Sequence, residues 1–208
     1  MNEQAKEIED MTVLSIKGLR AVVAGAALAL MAACTSGPVA TYPDVTWRHL
    51  DPIVFAAGPI EKVAAWSNTE DGSIQSSLPF NPGRMAMNWP DDRIQTAGTS
   101  DMLRYSVTEA SVTSNALKTT KGIKGVFTDD QSDKIDLKIA AKLELLAPNG
   151  TPKGEVSAMA ARSRTLSESM SVSEREQAIY DETTALLMDL DRELERQINN
   201  NMGRFLLQ

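Results

Sequence analysis

Apolar residues recur along this chain with different periods, and each period predicts a different element. Ile135, Leu137, Ile139, Ala141, Leu143 and Leu145 alternate with Lys134, Asp136, Lys138, Ala140, Lys142 and Glu144. A period of two places one face of a strand in a core and the other in water. Leu103, Tyr105 and Val107 alternate in the same way, after which the apolar parity moves to Ala110 and Val112. One extra residue near Thr108 produces that shift, so a bulge is expected there. Pro148, Asn149 and Gly150 supply turn chemistry after the long strand, and residues 154–165 are expected to return as the second strand of a hairpin. Further on the spacing becomes helical. Ile179, Leu186, Leu187, Leu190, Leu194, Ile198, Met202 and Phe205 recur with charges between them, which predicts a long amphipathic helix at the carboxy terminus. Ser173 followed by Glu176 has the spacing of a capping box at its start.

The remaining segments are less regular. Residues 53–65 are mostly apolar but interrupted by Gly58 and Pro59, as in a strand with a bulge or at an edge. Residues 67–82 are rich in serine, asparagine, glycine and proline and read as a long loop. Met85, Met87, Trp89 and Ile94 have helical spacing, but Pro90 breaks a continuous helix. A short helix starting at Pro90, with Asn88 or Trp89 before it and Asp91 and Asp92 in its first turn, is the less strained solution, ended by Gly98. The order strand, short helix, three strands, long helix predicts an α+β fold: a two-layer sandwich with a mostly antiparallel sheet of about four strands and the helices on one face.

Ahead of this domain lies an apolar stretch of another kind. Residues 21–33 are apolar, fewer than the roughly 20 a membrane-spanning helix needs. Lys17 and Arg20 precede them, nothing acidic lies between Met11 and Cys34, and the run closes on Ala32, Ala33 and Cys34. Basic flank, short apolar core and small residues are the pattern of a secretory signal. Glu3, Glu7, Glu9 and Asp10 interrupt the basic flank, so Met11 is the expected working start. The end of the run resembles the lipobox of bacterial lipoproteins, with Met31 where leucine is usual. The resemblance implies that residues 1–33 are a signal peptide, and that the Cys34 sulfur carries a diacylglyceryl group with the new amino terminus acylated. It further implies that Thr35, not being aspartate, favours the outer membrane over the inner. Residues 34–46, with Pro38 and Pro43, then read as the lipidated cysteine and a flexible tether, and residues 47–208 as one periplasmic α+β domain.

Charge and composition narrow the partners. The chain carries a net charge of -7, and phosphate backbones need clustered lysine and arginine, so nucleic acid is not an expected partner. Its single cysteine excludes an intrachain disulfide, and its single histidine, His49, argues against a catalytic triad or a histidine-rich metal site. Neither catalytic residues, a metal site nor a cofactor is expected. Asp129, Asp130 and Asp133 lack the ligand spacing of a calcium loop. The carboxylates Asp189, Asp191, Glu193 and Glu195 read as a solvated helix face, with Arg192 and Arg196 three residues after Asp189 and Glu193.

One stretch stands out as a candidate for binding. Lys118, Lys121 and Lys124 place three positive charges on an acidic protein, and Val126 and Phe127 add apolar tips. A lipid headgroup, a lipopolysaccharide phosphate or an acidic protein partner suits that chemistry. A mobile hairpin connection whose lysines keep an edge from aggregating suits it equally. Arg162 and Arg164 either extend the patch or face solvent from the returning strand.

Residues 117–145 and 161–206 together resemble a set of alphaproteobacterial envelope lipoproteins without an assigned activity, which carry no functional residues to transfer. Lipobox, tether and small α+β domain are also similar in layout to the auxiliary lipoproteins of lipid-transporting ABC systems. The implied function is a membrane-anchored, non-enzymatic lipoprotein binding a protein or lipid partner in envelope assembly or transport. The alternative is a structural envelope component that self-associates through its sheet edge or carboxy-terminal helix. An acyl-chain binder requires an apolar cleft between helix and sheet, and a packing domain has that space filled.

Overall fold

The protein's structure, a computed structural model, describes residues 40–67, 70–117 and 131–207. Cys34 and the segment 118–130, with Lys118, Lys121, Lys124, Val126 and Phe127, lie outside the described residues. The elements are β1 (Ile53–Phe55), β2 (Ile60–Ala64), α1 (Pro82–Ala86), α2 (Trp89–Arg93), β3 (Ile94–Thr96), β4 (Met102–Ala116), β5 (Gln131–Leu146), β6 (Pro152–Ser167) and α3 (Val172–Asn201). A four-stranded sheet in the order β2-β4-β5-β6 carries the helices on one face, with β2 parallel to β4 and the other pairs antiparallel. The α+β sandwich expected from the hydrophobic pattern is therefore the observed architecture.

The expected strand over residues 53–65 is divided. Gly58 donates its N–H to the Asp101 carbonyl at 2.6 Å, and a Cβ there would lie 2.5 Å from the Thr99 carbonyl oxygen. Only glycine permits that approach, and Pro59 has no N–H to continue a ladder. β1 therefore leaves the main sheet and pairs with β3, in parallel. β2 takes the edge beside β4, consistent with the edge position expected there. The bulge falls where the parity shift put it: Val107 pairs with Ala141 and Glu109 with Ala140, which leaves Thr108 as the extra residue. Gly150, at φ 81°, closes the β5–β6 turn.

Four expectations need correction. The cap of α3 is Ser171, not Ser173: Ser171 accepts from the Glu174 backbone, and Glu174 answers to the Ser171 N–H at 2.8 Å. Ser-x-x-Glu occurs at both serines; in the first turns of the helix Arg175 pairs with Asp133 of β5. Residues 82–96 form two short helices and a strand, because Asn81 caps α1 in addition to the turn that begins α2. The carboxy-terminal helix ends at Asn201. Beyond it Phe205 accepts from the Ala56 N–H and Leu207 donates to Val54, both at 2.9 Å, so this end leaves the helix and pairs with β1. Finally, packing begins at Tyr42 and not near Trp47. Tyr42 sits 5.3 Å from both Phe80 and Tyr180, ring centre to ring centre, and Val45 is buried, so residues 42–46 belong to the domain.

Between the layers, Leu186, Leu187, Leu190, Leu194 and Ile198 of α3 meet Leu137, Ile139, Leu143 and Leu145 of β5, all fully buried. α1 and α2 cover β4, where Trp89 stacks on Tyr105 at 5.4 Å and the Tyr105 hydroxyl donates to the Ala86 carbonyl at 3.2 Å. One ion pair lies in this core. Asp191 accepts from Trp89 Nε1 at 2.7 Å and from Arg93 Nε at 2.8 Å, with both ionic side chains almost wholly buried. Arg93 also donates to the Asp51 carbonyl and reaches Glu195 at 2.7 Å. Removing one partner of a buried pair strands the other. Asp191→Ala is expected to lower the unfolding free energy by about 3–5 kcal/mol, read as a lower urea midpoint at unchanged slope. Arg196→Ala, which breaks the exposed pair with Glu193, should leave the midpoint near wild type; equal effects of the two would contradict this placement.

Candidate functional site

Of the candidate binding residues, only Arg162 and Arg164 fall among the described residues. Both stand on β6 at positions whose side chains point toward α3, in register with Leu137 and Ile135 of β5. Arg162 Nε reaches Glu182 at 2.8 Å and its Nη1 reaches Asp189 at 2.9 Å, while Arg164 lies 3.7 Å from Glu182. The hydrogen bonds it donates to Glu182 and then to Asp189 hold the pKa of the Arg162 guanidinium above its ordinary value. The structure places them as ties between the sheet and the helix, with both side chains still partly exposed. β6 is the strand beneath α3, and cations there neutralise the acidic flank of that helix.

The helix carboxylates also divide differently from the expected solvated face. Asp189 pairs with Arg192, and Glu193 with Arg196 at 2.5 Å, as their spacing predicts. Asp191 is instead buried against Arg93, and Glu195 shares that arginine. The signal was present in the sequence. Asp191 follows Leu187 by one helical turn and precedes Leu194 by another, so it stands on the apolar stripe.

A second polar joint secures the start of the domain. Asp92 accepts from the Trp47 N–H at 2.9 Å, the Thr46 hydroxyl at 2.8 Å and Arg48 Nε at 2.9 Å. Burial alone would raise its pKa, but the Trp47, Arg48 and Thr46 hydrogen bonds outweigh that and hold the carboxyl below its ordinary value. Beside this joint, Asp44, Arg48, His49, Asn88 and Asp91 border a depression of about 740 Å³. His49 is exposed, and among the described residues no three His, Cys, Asp or Glu side chains are grouped to hold a metal ion.

Two further depressions have polar walls. One, of about 310 Å³, lies on the sheet face away from the helices among Glu70, Ser111, Thr113, Asp136, Lys138 and Ser163. The other, of about 300 Å³, lies beside Tyr42, Phe80, Asn81 and Arg84. The space between α3 and the sheet is occupied by the leucines and isoleucines of both layers. No helix among the described residues is long and apolar enough to cross a membrane.

No protein-family model and no curated protein matches the chain. Among solved structures it is similar to a minor lipoprotein from Acinetobacter baumannii, at 14% identity and TM-score 0.38, over 76% of this chain and 99% of that one. It is also similar to the rare lipoprotein B from Shewanella oneidensis, at 11% identity and TM-score 0.33, over 66% of this chain and 95% of that one. Likenesses this shallow supply no argument about activity, site or partner.

The Asp92 joint makes a testable statement about acid stability. A carboxyl depressed in the folded state contributes fully above its unfolded value, near 3.8, and the contribution is lost as pH falls through the lower folded value. Asp92→Asn should therefore lower the thermal midpoint at neutral pH and flatten its fall on the acid limb. Parallel acid limbs for the two proteins would remove Asp92 from the account.

Proposed function

We propose that this chain is a non-enzymatic envelope lipoprotein, held on a membrane by acyl chains on Cys34, whose domain faces the periplasm and binds a protein partner in envelope assembly or transport. The observation that carries the reading is the run ending in Ala32, Ala33 and Cys34, with basic residues before it and no acidic residue between Met11 and Cys34. The signal peptide is residues 1–33, and Thr35 directs the protein to the outer membrane. Each buried methylene contributes roughly 0.8 kcal/mol, and one chain alone binds only marginally; two chains on the sulfur and one on the amine of Cys34 make the anchor firm.

A protein partner is favoured over a lipid because α3 and the sheet fill the layer where an acyl chain would have to lie. The lysines Lys118, Lys121 and Lys124, with Val126 and Phe127, remain the segment we assign to that partner. Arg162 and Arg164 leave the assignment, since α3 already holds them.

Cys34→Ser should abolish incorporation of labelled fatty acid and leave the leader uncleaved. Fatty-acid labelling equal to that of the parent, or parent-like fractionation with both proteins keeping full leader mass, would defeat the anchor. Reversing Lys118, Lys121 and Lys124 to glutamate should reduce recovery of a crosslinked partner in mild detergent by about tenfold or more, with thermal stability unchanged. Undiminished recovery would remove the segment from the interface.

A further inference from the structure

The two edges of the main sheet are built differently. β2 is a strand of five residues entered through Pro59, and its Glu61 and Lys62 pair with Arg104 and Asp91. Residues 72–74 continue the cover along β4: Ser73 bridges Thr113, the Ile74 N–H donates to Val112 and the Ser114 N–H donates to Gly72, each at 2.9 Å for the two backbone bonds. Shortness, proline and charge are the devices that blunt an edge.

β6 at the other edge has few of them. It spans 16 residues with its proline at the first position, and its register against β5 is unbroken from Leu166 to Gly154. No described strand pairs with its outer side. Among the described residues only its beginning is closed, where Arg204 donates to the Lys153 carbonyl at 3.0 Å and the Phe205 ring packs against Gly154. From Val156 to Ala161 no side chain is charged, and Met159 in the middle is 62% exposed. The charges that flank this run are already answered within the chain, Glu155 by Lys142 at 3.0 Å and Arg162 by Glu182 and Asp189.

We propose that this edge is the contact between two copies of the chain, with β6 laid antiparallel on β6 about a two-fold axis at Met159. A row of free backbone donors and acceptors recognises an extended strand. Because the flanking charges are neutralised internally, the edge offers no field for a strongly charged strand, and it selects a neutral one. A second β6 is such a strand, of matching length, and an isologous contact requires only that it complement itself. About Met159 it does so: Ser157 faces Ala161, Ala158 faces Ala160, Glu155 faces Ser163 and Val156 faces Arg162, with no like charges opposed. The pairing joins the sheets of two copies into one and leaves α3 of each on the same face. It is independent of the Cys34 anchor, since an unacylated chain retains the edge.

Sedimentation equilibrium of the full chain in mild detergent tests the proposal. Wild type is expected to dimerise, and Met159→Lys and Met159→Glu, each exposed and compatible with the fold, should each weaken the dimer by about tenfold. An equimolar mixture of the two variants should restore it, a result that neither a structural lesion nor shared micelles produces. A wild-type monomer at every concentration would overturn the proposal, as would a dimer indifferent to both substitutions. Met159→Cys under mild oxidation should give a disulfide adduct with twice the mass of the chain; an adduct with a different protein would overturn the choice of a second copy.

Discussion

The fold depends on the neutralisation of one carboxylate. Asp191 stands on the apolar stripe of α3, where an unpaired charge is not tolerated, and the elements around it supply its partners. Trp89 and Arg93 come from opposite ends of α2 and both donate to the same Asp191 oxygen. Arg93 extends the joint to Asp51 ahead of β1 and to Glu195 one turn further along α3. The two halves of the helical layer, α1 and α2 over β4 and α3 over β5 and β6, are thus fixed to one another by a directional contact as well as by shape. Breaking this joint should loosen the packing of α2 on α3 before it disturbs the sheet.

What the pattern of the sequence could show was whatever repeats. Strands β4, β5 and β6 and helix α3 are long enough for period to be read, and even the bulge at Thr108 followed from parity. The short elements between residues 53 and 96 resisted because three- and five-residue pieces carry no period. Their form is set by contacts remote in sequence, such as the approach of Gly58 to Thr99 and Asp101 and the pairing of β1 with Leu207. Asp191 was missed for another reason. Acidic residues crowd that turn of the helix, and charge density drew attention away from its place on the stripe. Ser171 and Ser173 are equivalent by spacing, so only the fold distinguishes them.

The candidate binding residues divided in the same way. Arg162 and Arg164 were prominent as cations on a strand, but a strand position does not reveal what lies above it, and the acidic flank of α3 lies above both. The cap, the Asp92 joint and the ties from β6 account for much of the charge on the domain as internal structure. The filled layer between helix and sheet likewise leaves little for a hydrocarbon ligand. In the proposed reading, contact with a membrane comes from outside the folded core, through acyl chains on Cys34. The uncovered edge of β6 is a separate matter, a consequence of sheet order and not of the leader.

The central claim is therefore covalent. Intact-mass measurement of the natural protein extracted from bacterial membranes tests it most directly. The account predicts a chain that begins at Cys34 and carries the added mass of a diacylglyceryl group and an amide-linked acyl chain. A chain that retains its upstream residues and has a free thiol at Cys34 would contradict it.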